Sequence, residues 1–155
     1  MKKNSRILIH GAGVAGLGCA IWLGRHGFRP VVVEKALDIR DTGGFVICLS
    51  GASYRFADEL GMMDVLKQRD TDIYSASYHN SRGDALLRLD YKELFNGVDF
   101  IQITRDEIEK VFYDNAKDLA EYRFNTSASK IEQSDTDKVQ VEFTDGSQEE
   151  FDIVI

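Results

Sequence analysis

The segment from Arg6 to Glu34 constrains the fold of this chain more than any other stretch. A short apolar run, residues 7–9, leads into a glycine cluster, residues 11–16, with the spacing G-x-G-x-x-G. A helical pattern follows, and then a second apolar run, residues 30–33, that Glu34 closes. This order predicts a strand, a tight turn, a helix, a second strand and an acid, which is typical of a βαβ unit that binds dinucleotides.

The glycines and the amides beside them fit that interpretation. We expect Gly11 to allow a sharp turn, Gly13 to let a pyrophosphate approach the backbone, and Gly16 to let the helix lie close to the sheet. The N–H groups of Val14, Ala15 and Gly16 would then point at the phosphates from the positive end of the helix. The alternative is a glycine-rich turn that is packed for structure alone.

Glu34 predicts which dinucleotide fits. A carboxylate at the end of the second strand can accept hydrogen bonds from ribose hydroxyls, and its charge repels a 2′-phosphate. The sequence therefore favours NAD or FAD over NADP at this position.

Composition excludes several other classes of protein. The 155 residues suffice for one domain with a core, and the net charge of −7 does not indicate a nucleic-acid partner. Two cysteines, Cys19 and Cys48, fit a reduced, cytoplasmic protein. The spacing of His and Cys residues predicts no metal site, and no apolar run of about 18 residues predicts a membrane span.

The loop after Glu34 holds two candidate cofactor residues. Arg40 could cover an adenine or a phosphate, or it could be a solvated loop arginine. Gly43 and Gly44 would allow close approach of the backbone to a flat group, or only a turn.

The middle of the chain, residues 45–99, predicts a strand, a helix and then a β-hairpin. The apolar run 45–49 predicts a buried strand, and residues 51–60 predict a helix with Ser50 as its N-cap. Residues 71–89 predict a β-hairpin of a second sheet, followed by a loop over 90–99. Its Tyr74 and Tyr78 could line a substrate pocket, but tyrosines at such positions more often pack on a sheet face.

The helix that starts after residue 104 carries a cation at an unfavourable place. Thr104 and Glu107 predict a capping box, and Arg105 is opposed by the helix dipole. A bound anion would offset that cost, so we expect Arg105 to meet a cofactor phosphate. The alternative is an exposed arginine held by Asp106 or Glu109.

The last third predicts a β-meander. Short strands are expected at 122–124, 127–133 and 138–144, with a polar turn at 134–137, and residues 148–155 are expected to pair back. The chain stops inside an apolar pattern, which suggests the N-terminal piece of a longer protein. The predicted fold class is α/β: a Rossmann-like domain with a C-terminal meander and with a hairpin insertion over 70–103 that belongs to a substrate-side sheet.

These segments, taken in order, resemble a known family. The quoted stretches are GAGVAGLGCAIWLGRHGFRPVVVEK, R-x-x-GG, LSGASYRFADELGM, ITRDEIEKVF and FDIVI. The chain resembles the N-terminal part of the FAD-dependent, single-component aromatic-ring monooxygenases. This p-hydroxybenzoate hydroxylase-like group includes the tetracycline-inactivating monooxygenases.

The resemblance implies FAD as cofactor, NAD(P)H as transient co-substrate, and O2-dependent hydroxylation of an aromatic or polyketide-like small molecule. No catalytic side chain is implied. The implied FAD contacts are Gly11, Gly13, Val14, Ala15 and Gly16 at the pyrophosphate, Glu34 and Lys35 at the adenosine ribose, Arg40 at the adenine end or the nicotinamide donor, Gly44 beside the isoalloxazine, Arg105 at the ribityl–phosphate part, and the backbone of Ser127 and Ala128 against the adenine.

Two other readings stay open. The family continues after its final strand into a G-A-D-G motif that also binds FAD, so this piece alone is expected to be inactive. One alternative is another FAD oxidoreductase, such as a reductase or cyclase. The other is a non-catalytic module that binds a nucleotide, or a partner through its sheet edge. A plain NAD dehydrogenase fits less well, because the hairpin and meander replace further βα units.

Overall fold

The computed structural model describes residues 5–39, 45–133 and 138–155. The chain divides into two compact units, one formed by residues 1–43 and 108–155 and the other by residues 44–107. Within the described residues the elements are β1 (Ile7–His10), α1 (Val14–Arg25), β2 (Val31–Val33), β3 (Val46–Ser50), α2 (Gly51–Glu59), α3 (Met63–Lys67), β4 (Ser75–His79), β5 (Ala85–Asp90), α4 (Tyr91–Leu94), β6 (Phe100–Thr104), α5 (Arg105–Ala116), β7 (Glu121–Arg123), β8 (Ala128–Gln133), β9 (Val139–Phe143), β10 (Gln148–Phe151) and β11 (Ile153–Val154).

A parallel sheet with strand order β11-β1-β2-β7 organises the first unit. Leu8 pairs with Val31 on one side and with Val154 on the other. Because parallel neighbours need a crossover, α1 carries the chain from β1 to β2. The predicted mixed α/β class with a parallel sheet is confirmed.

Both faces of this sheet are covered. Leu8, Val31 and Val33 are buried in one cluster with the meander residues Phe143 and Phe151. The opposite face carries Ile9, whose Cγ2 lies 3.2 Å from where a Cβ on Gly16 of α1 would be. Continuous burial of β1 and β2 is what a sheet with two covered faces requires, and it explains the unbroken apolar runs in the sequence.

The meander is a three-stranded antiparallel sheet with order β10-β9-β8. The prediction that residues 148–155 pair back as one strand is wrong. Only β10 pairs with β9, whereas β11 joins the parallel sheet beside β1. The change of sheet falls at Asp152, whose backbone N–H bonds the Arg6 carbonyl and whose carboxylate accepts from the Arg6 N–H at 2.6 Å.

The second unit holds two two-stranded sheets, β3 with β6 and β4 with β5, both antiparallel. The helix α2 follows β3, and the Ser53 hydroxyl in its first turn accepts from the Ser50 N–H at 3.2 Å. The assignment of residues 70–103 to a substrate-side sheet stays a prediction.

Two expectations for this unit are corrected. The run 45–49 is not a buried strand, because only Leu49 is buried and Phe45 is 58% exposed. The predicted loop over 90–99 contains α4, because the Asp90 carboxylate caps it by accepting from the N–H groups of Lys92 at 2.8 Å and Glu93 at 3.3 Å.

Candidate functional site

The turn between β1 and α1 can be built only with glycine at two places. Gly11 has φ +113°, a conformation that side chains rarely adopt, and its N–H bonds the Val33 carbonyl at 2.8 Å. A Cβ on Gly16 would lie 2.0 Å from the Gly11 carbonyl oxygen. The first turn of α1 therefore folds tightly against the end of β1, which is the geometry that the motif predicts.

The first amides of α1 are available to a ligand. Gly13 is the N-cap residue, and the first turn carries no acidic side chain. No hydrogen bond from the N–H groups of Val14, Ala15 or Gly16 to another described residue is recorded, whereas the next amide, Leu17 N–H, bonds the Gly13 carbonyl. Three donors at the positive end of a helix form a place where an anion is stabilised.

Glu34 is tied to the same turn. One carboxylate oxygen accepts from the Ala12 N–H at 2.8 Å and the other from the Ala36 N–H at 2.9 Å. Each carboxylate oxygen has a further acceptor position, so the side chain can still accept from a hydroxyl group. Glu34 thus fixes the turn and presents acceptors beside it.

A crevice of about 220 Å³ adjoins this carboxylate. It brings together four of the residues predicted from the sequence, Gly11, Glu34, Lys35 and Ser127, with two others, His10 and Val33. The walls come from the end of β1, the end of β2 and the start of the meander. The parallel pairing of β1 with β2 places the ends of these two strands side by side.

The far wall of the crevice is held by His10. Its Nε2 lies 3.0 Å from the Ser127 hydroxyl and accepts from the Ala128 N–H at 3.2 Å. The Ser127 N–H in turn donates to the Thr144 hydroxyl at 3.2 Å. Sequence reasoning missed His10; the available signal was a polar side chain that ends an otherwise apolar strand directly before the glycine motif.

Arg105 belongs to the second unit. Its N–H bonds the Phe45 carbonyl at 2.9 Å, and its guanidinium lies over the Phe45 ring at 5.7 Å from the centroid. Glu107, assigned by the sequence to a capping box, pairs with the Arg69 guanidinium. The role of Arg105 toward a phosphate stays a prediction, and Arg40 and Gly44 lie outside the described residues.

Tyr74 has structural contacts. Its hydroxyl donates to the Asp72 carboxylate at 3.1 Å, its ring meets Phe100 edge-on at 6.2 Å, and the Lys92 ammonium lies over it at 4.2 Å. The hydrogen bond to Asp72 raises the pKa of the Tyr74 hydroxyl. These contacts favour the packing role for Tyr74, whereas Tyr78 is 55% exposed.

The described ranges offer neither a metal site nor a membrane-spanning helix. No group of three His, Cys, Asp or Glu side chains in residues 5–39, 45–133 and 138–155 could hold a metal ion. None of the helices in those ranges has the length and hydropathy needed to cross a bilayer.

The fold and the crevice define a class of protein. An α/β domain with a glycine turn, helix-start amides that bond no other described residue, and an acid at the end of a strand is the arrangement of a dinucleotide-binding domain. Comparison with known proteins narrows this class. The family described as FAD binding domain matches residues 4–154, so the chain belongs to that family. FAD is therefore the cofactor of this family of domains.

Similar proteins support this family assignment. The chain is 36% identical over 156 residues to a flavin-dependent monooxygenase of Legionella longbeachae serogroup 1 (strain NSW150), covering 100% of this chain and 39% of that protein. An uncharacterized protein of Mycobacterium tuberculosis (strain ATCC 25618 / H37Rv) is 32% identical, with 96% of this chain and 40% of that protein covered. The chain thus spans about two fifths of the length of these relatives.

Solved structures show the same fold. The tetracycline destructase Tet(51) is similar with a TM-score of 0.77 and 29% identity, over 97% of this chain and 37% of that one. The p-nitrophenol 4-monooxygenase PnpA of Pseudomonas putida DLL-E4 gives a TM-score of 0.78 at 22% identity, over 97% of this chain and 39% of that one, which supports the fold alone.

Proposed function

We propose that this chain is the FAD-binding portion of a flavoprotein monooxygenase, one that uses NAD(P)H and O2 to hydroxylate an aromatic or polyketide-like small molecule. The observation that carries the proposal is the match of residues 4–154 to the FAD binding domain family. The glycine turn agrees with it, because a Cβ at residue 16 would clash with the Gly11 carbonyl oxygen. The relatives named as flavin-dependent monooxygenases, and the tetracycline destructase, support this reaction class.

The pyrophosphate of FAD is assigned to the start of α1. Val14, Ala15 and Gly16 donate their N–H groups to its oxygens, and Gly11 and Gly13 keep the approach clear of side chains. The free amides and the absence of an acidic side chain in that turn support this assignment.

The adenosine is assigned to the crevice of about 220 Å³. Glu34 accepts from the ribose hydroxyls with the acceptor positions that Ala12 and Ala36 leave open. Lys35 lies at the same edge, and the backbone at Ser127 and Ala128 forms the wall against the adenine. Arg40, Gly44 and Arg105 retain the roles that the family resemblance gives them.

Bound FAD would supply the redox chemistry that links NAD(P)H to O2. The residues of this chain bind and orient it. No step needs a nucleophile and base from the described residues. The substrate cavity belongs to parts of the longer protein, and we propose that this protein is cytoplasmic, in keeping with the free thiols of Cys19 and Cys48.

The test of this function uses the full-length protein that contains this chain. Purified with bound FAD, it should oxidise NADH or NADPH in an oxygen-dependent reaction that phenolic or tetracycline-like compounds stimulate, with one hydroxylated product formed per substrate consumed. Flavin reduction without oxygen incorporation into any aromatic compound would instead identify a reductase. A protein that binds no FAD would overturn the proposal altogether.

A further inference from the structure

We propose that His10 is a positioning residue of the adenosine crevice, and that its neutral imidazole holds the adenine wall in place through Ser127 and Ala128. The inference rests on the proposed function and extends it to a residue outside the glycine motif. It also predicts a specific pH dependence of FAD binding by this chain.

The hydrogen bonds at His10 assign its protonation state. A backbone N–H can only donate, so the contact of 3.2 Å between Ala128 N and His10 Nε2 requires a bare nitrogen at Nε2. The Ser127 hydroxyl lies 3.0 Å from the same nitrogen, and with a bare Nε2 it can only share the single lone pair that the Ala128 N–H uses. The ring proton of the neutral imidazole therefore resides on Nδ1, a tautomer assigned from this hydrogen-bond pattern.

The position of the contact makes it relevant to the ligand. His10 ends β1 and directly precedes Gly11, while Ala128 begins β8, so the bond joins two elements that are 118 residues apart in sequence. Both His10 and Ser127 line the crevice with Glu34. Moving the start of β8 would thus change the shape of the crevice at Ser127.

Protonation reverses the chemistry of this contact. An imidazolium carries a proton on both nitrogens, so Nε2 becomes a donor and faces the Ala128 N–H donor to donor. The start of β8 then loses this hydrogen bond, while the bonds of Thr126 N–H to the Glu34 carbonyl and of Ser127 to Thr144 remain. The backbone at Ala128 can then shift, which weakens the fit of the crevice to the adenine.

Other charged groups lie near the imidazole, and their effect on the pH dependence of FAD binding must be distinguished from that of His10. Glu34 and Lys35 share its crevice, and its own backbone N–H bonds the main-chain oxygen of Ile155 at 2.8 Å. From the meander the facing groups are the uncharged hydroxyls of Ser127 and Thr144. The first turn of α1 contributes no acidic side chain.

Three variants separate these contributions. His10→Gln keeps an acceptor, the amide oxygen, that does not titrate. His10→Leu removes the acceptor. His26→Gln is the matched control, because His26 is an exposed histidine at the other end of α1 whose Nδ1 contacts the Trp22 carbonyl at 2.7 Å.

The first measurement is FAD affinity of the chain at pH 7.5 and pH 5.5, followed by flavin fluorescence. Wild type and His26→Gln should bind about tenfold more weakly at pH 5.5, the effect of one lost hydrogen bond. His10→Gln should bind like wild type at pH 7.5 with no loss at pH 5.5, and His10→Leu should be about tenfold weaker at both values. A His10→Gln variant that keeps the wild-type pH dependence would overturn the inference.

The second measurement needs no ligand. In the FAD-free, ¹⁵N-labelled chain, the Ala128 amide should be protected from exchange at pH 7.5 and should lose that protection at pH 5.5, after correction for intrinsic exchange rates. In His10→Gln it should stay protected at both values. An unprotected Ala128 amide in wild type at pH 7.5 overturns the inference, whereas absence of FAD binding with an intact His10–Ala128 bond overturns only the proposed function.

Discussion

Single residues decide whether the turn before α1 can exist at all. Gly16 is the clearest case, because the atom that a side chain would meet is the backbone oxygen of Gly11 at 2.0 Å, and backbone cannot rotate away. Glu34 also stabilises this turn, because its carboxylate accepts a hydrogen bond from the Ala12 N–H. The proposed pyrophosphate site and the proposed ribose acid are therefore joined by a hydrogen bond.

Gly16→Ala should damage this structure directly. The added methyl forces the first turn of α1 away from β1, which we expect to cost about 1 to 3 kcal/mol of stability and to weaken FAD binding at least about tenfold. Urea unfolding and flavin fluorescence titration measure the two effects.

Gly24→Ala is the matched control for this substitution. A Cβ at residue 24 would lie 2.5 Å from Leu119 Cβ, so it introduces a similar clash at the opposite end of α1. It should lower stability and leave FAD affinity within about twofold. Equal losses of affinity in both variants would contradict a local role for Gly16.

Between elements, charged pairs connect the meander to the parallel sheet. Glu149 on β10 accepts from Arg123 of β7 at 2.6 Å and also pairs with Arg6, which precedes β1. The side chains of Glu149 and Arg123 are only 21% and 27% exposed, so these pairs are less screened than ordinary surface pairs. The hydrogen bonds to Arg123, and then to Arg6, lower the pKa of the Glu149 carboxyl.

Glu149→Gln removes the charge that pairs with Arg123 and Arg6, so we expect a loss of stability that depends on pH. A lowered folded-state pKa stabilises the protein above the ordinary glutamate value of 4.5, and the contribution is lost as the pH falls below it. Wild type should exceed the variant by about 1 kcal/mol at pH 7 and by less at pH 3.5 in urea unfolding.

Glu132→Gln provides the comparison for that experiment. Glu132 and its partner Lys130 are 62% and 59% exposed, so the substitution should change stability by no more than a few tenths of a kcal/mol. A Glu149→Gln difference that does not shrink at pH 3.5 would show that the loss arises from packing instead of charge.

Sequence reasoning succeeded where the pattern is local. Residues 6–34 predicted β1, the glycine turn, α1 and β2 in order, because apolar periodicity and glycine spacing act within a few residues. It failed where contacts between segments far apart in sequence determine the structure. The division of 148–155 into β10 and β11 depends on Asp152 meeting Arg6, and the exposure of Phe45 depends on what packs against β3.

The same limit applies to the candidate site. Gly11, Glu34 and Lys35 are close in sequence and were found from the motif or the resemblance, whereas Ser127 enters the crevice through a meander whose placement no local pattern states. His10 was missed because its partners, Ser127 and Ala128, lie more than one hundred residues away. Family resemblance supplied Ser127 and Ala128, and could not supply the histidine that holds them.

For the molecule as a whole, the central claim is that one continuous site runs from the amides of α1 to the crevice beside Glu34. The most direct test is a crystal structure of the chain grown with FAD. We expect the pyrophosphate to lie within hydrogen-bond distance of the Val14, Ala15 and Gly16 amides, and the ribose hydroxyls to bond Glu34. FAD bound elsewhere, or those amides and that carboxylate free of FAD in crystals where FAD is bound, would contradict it.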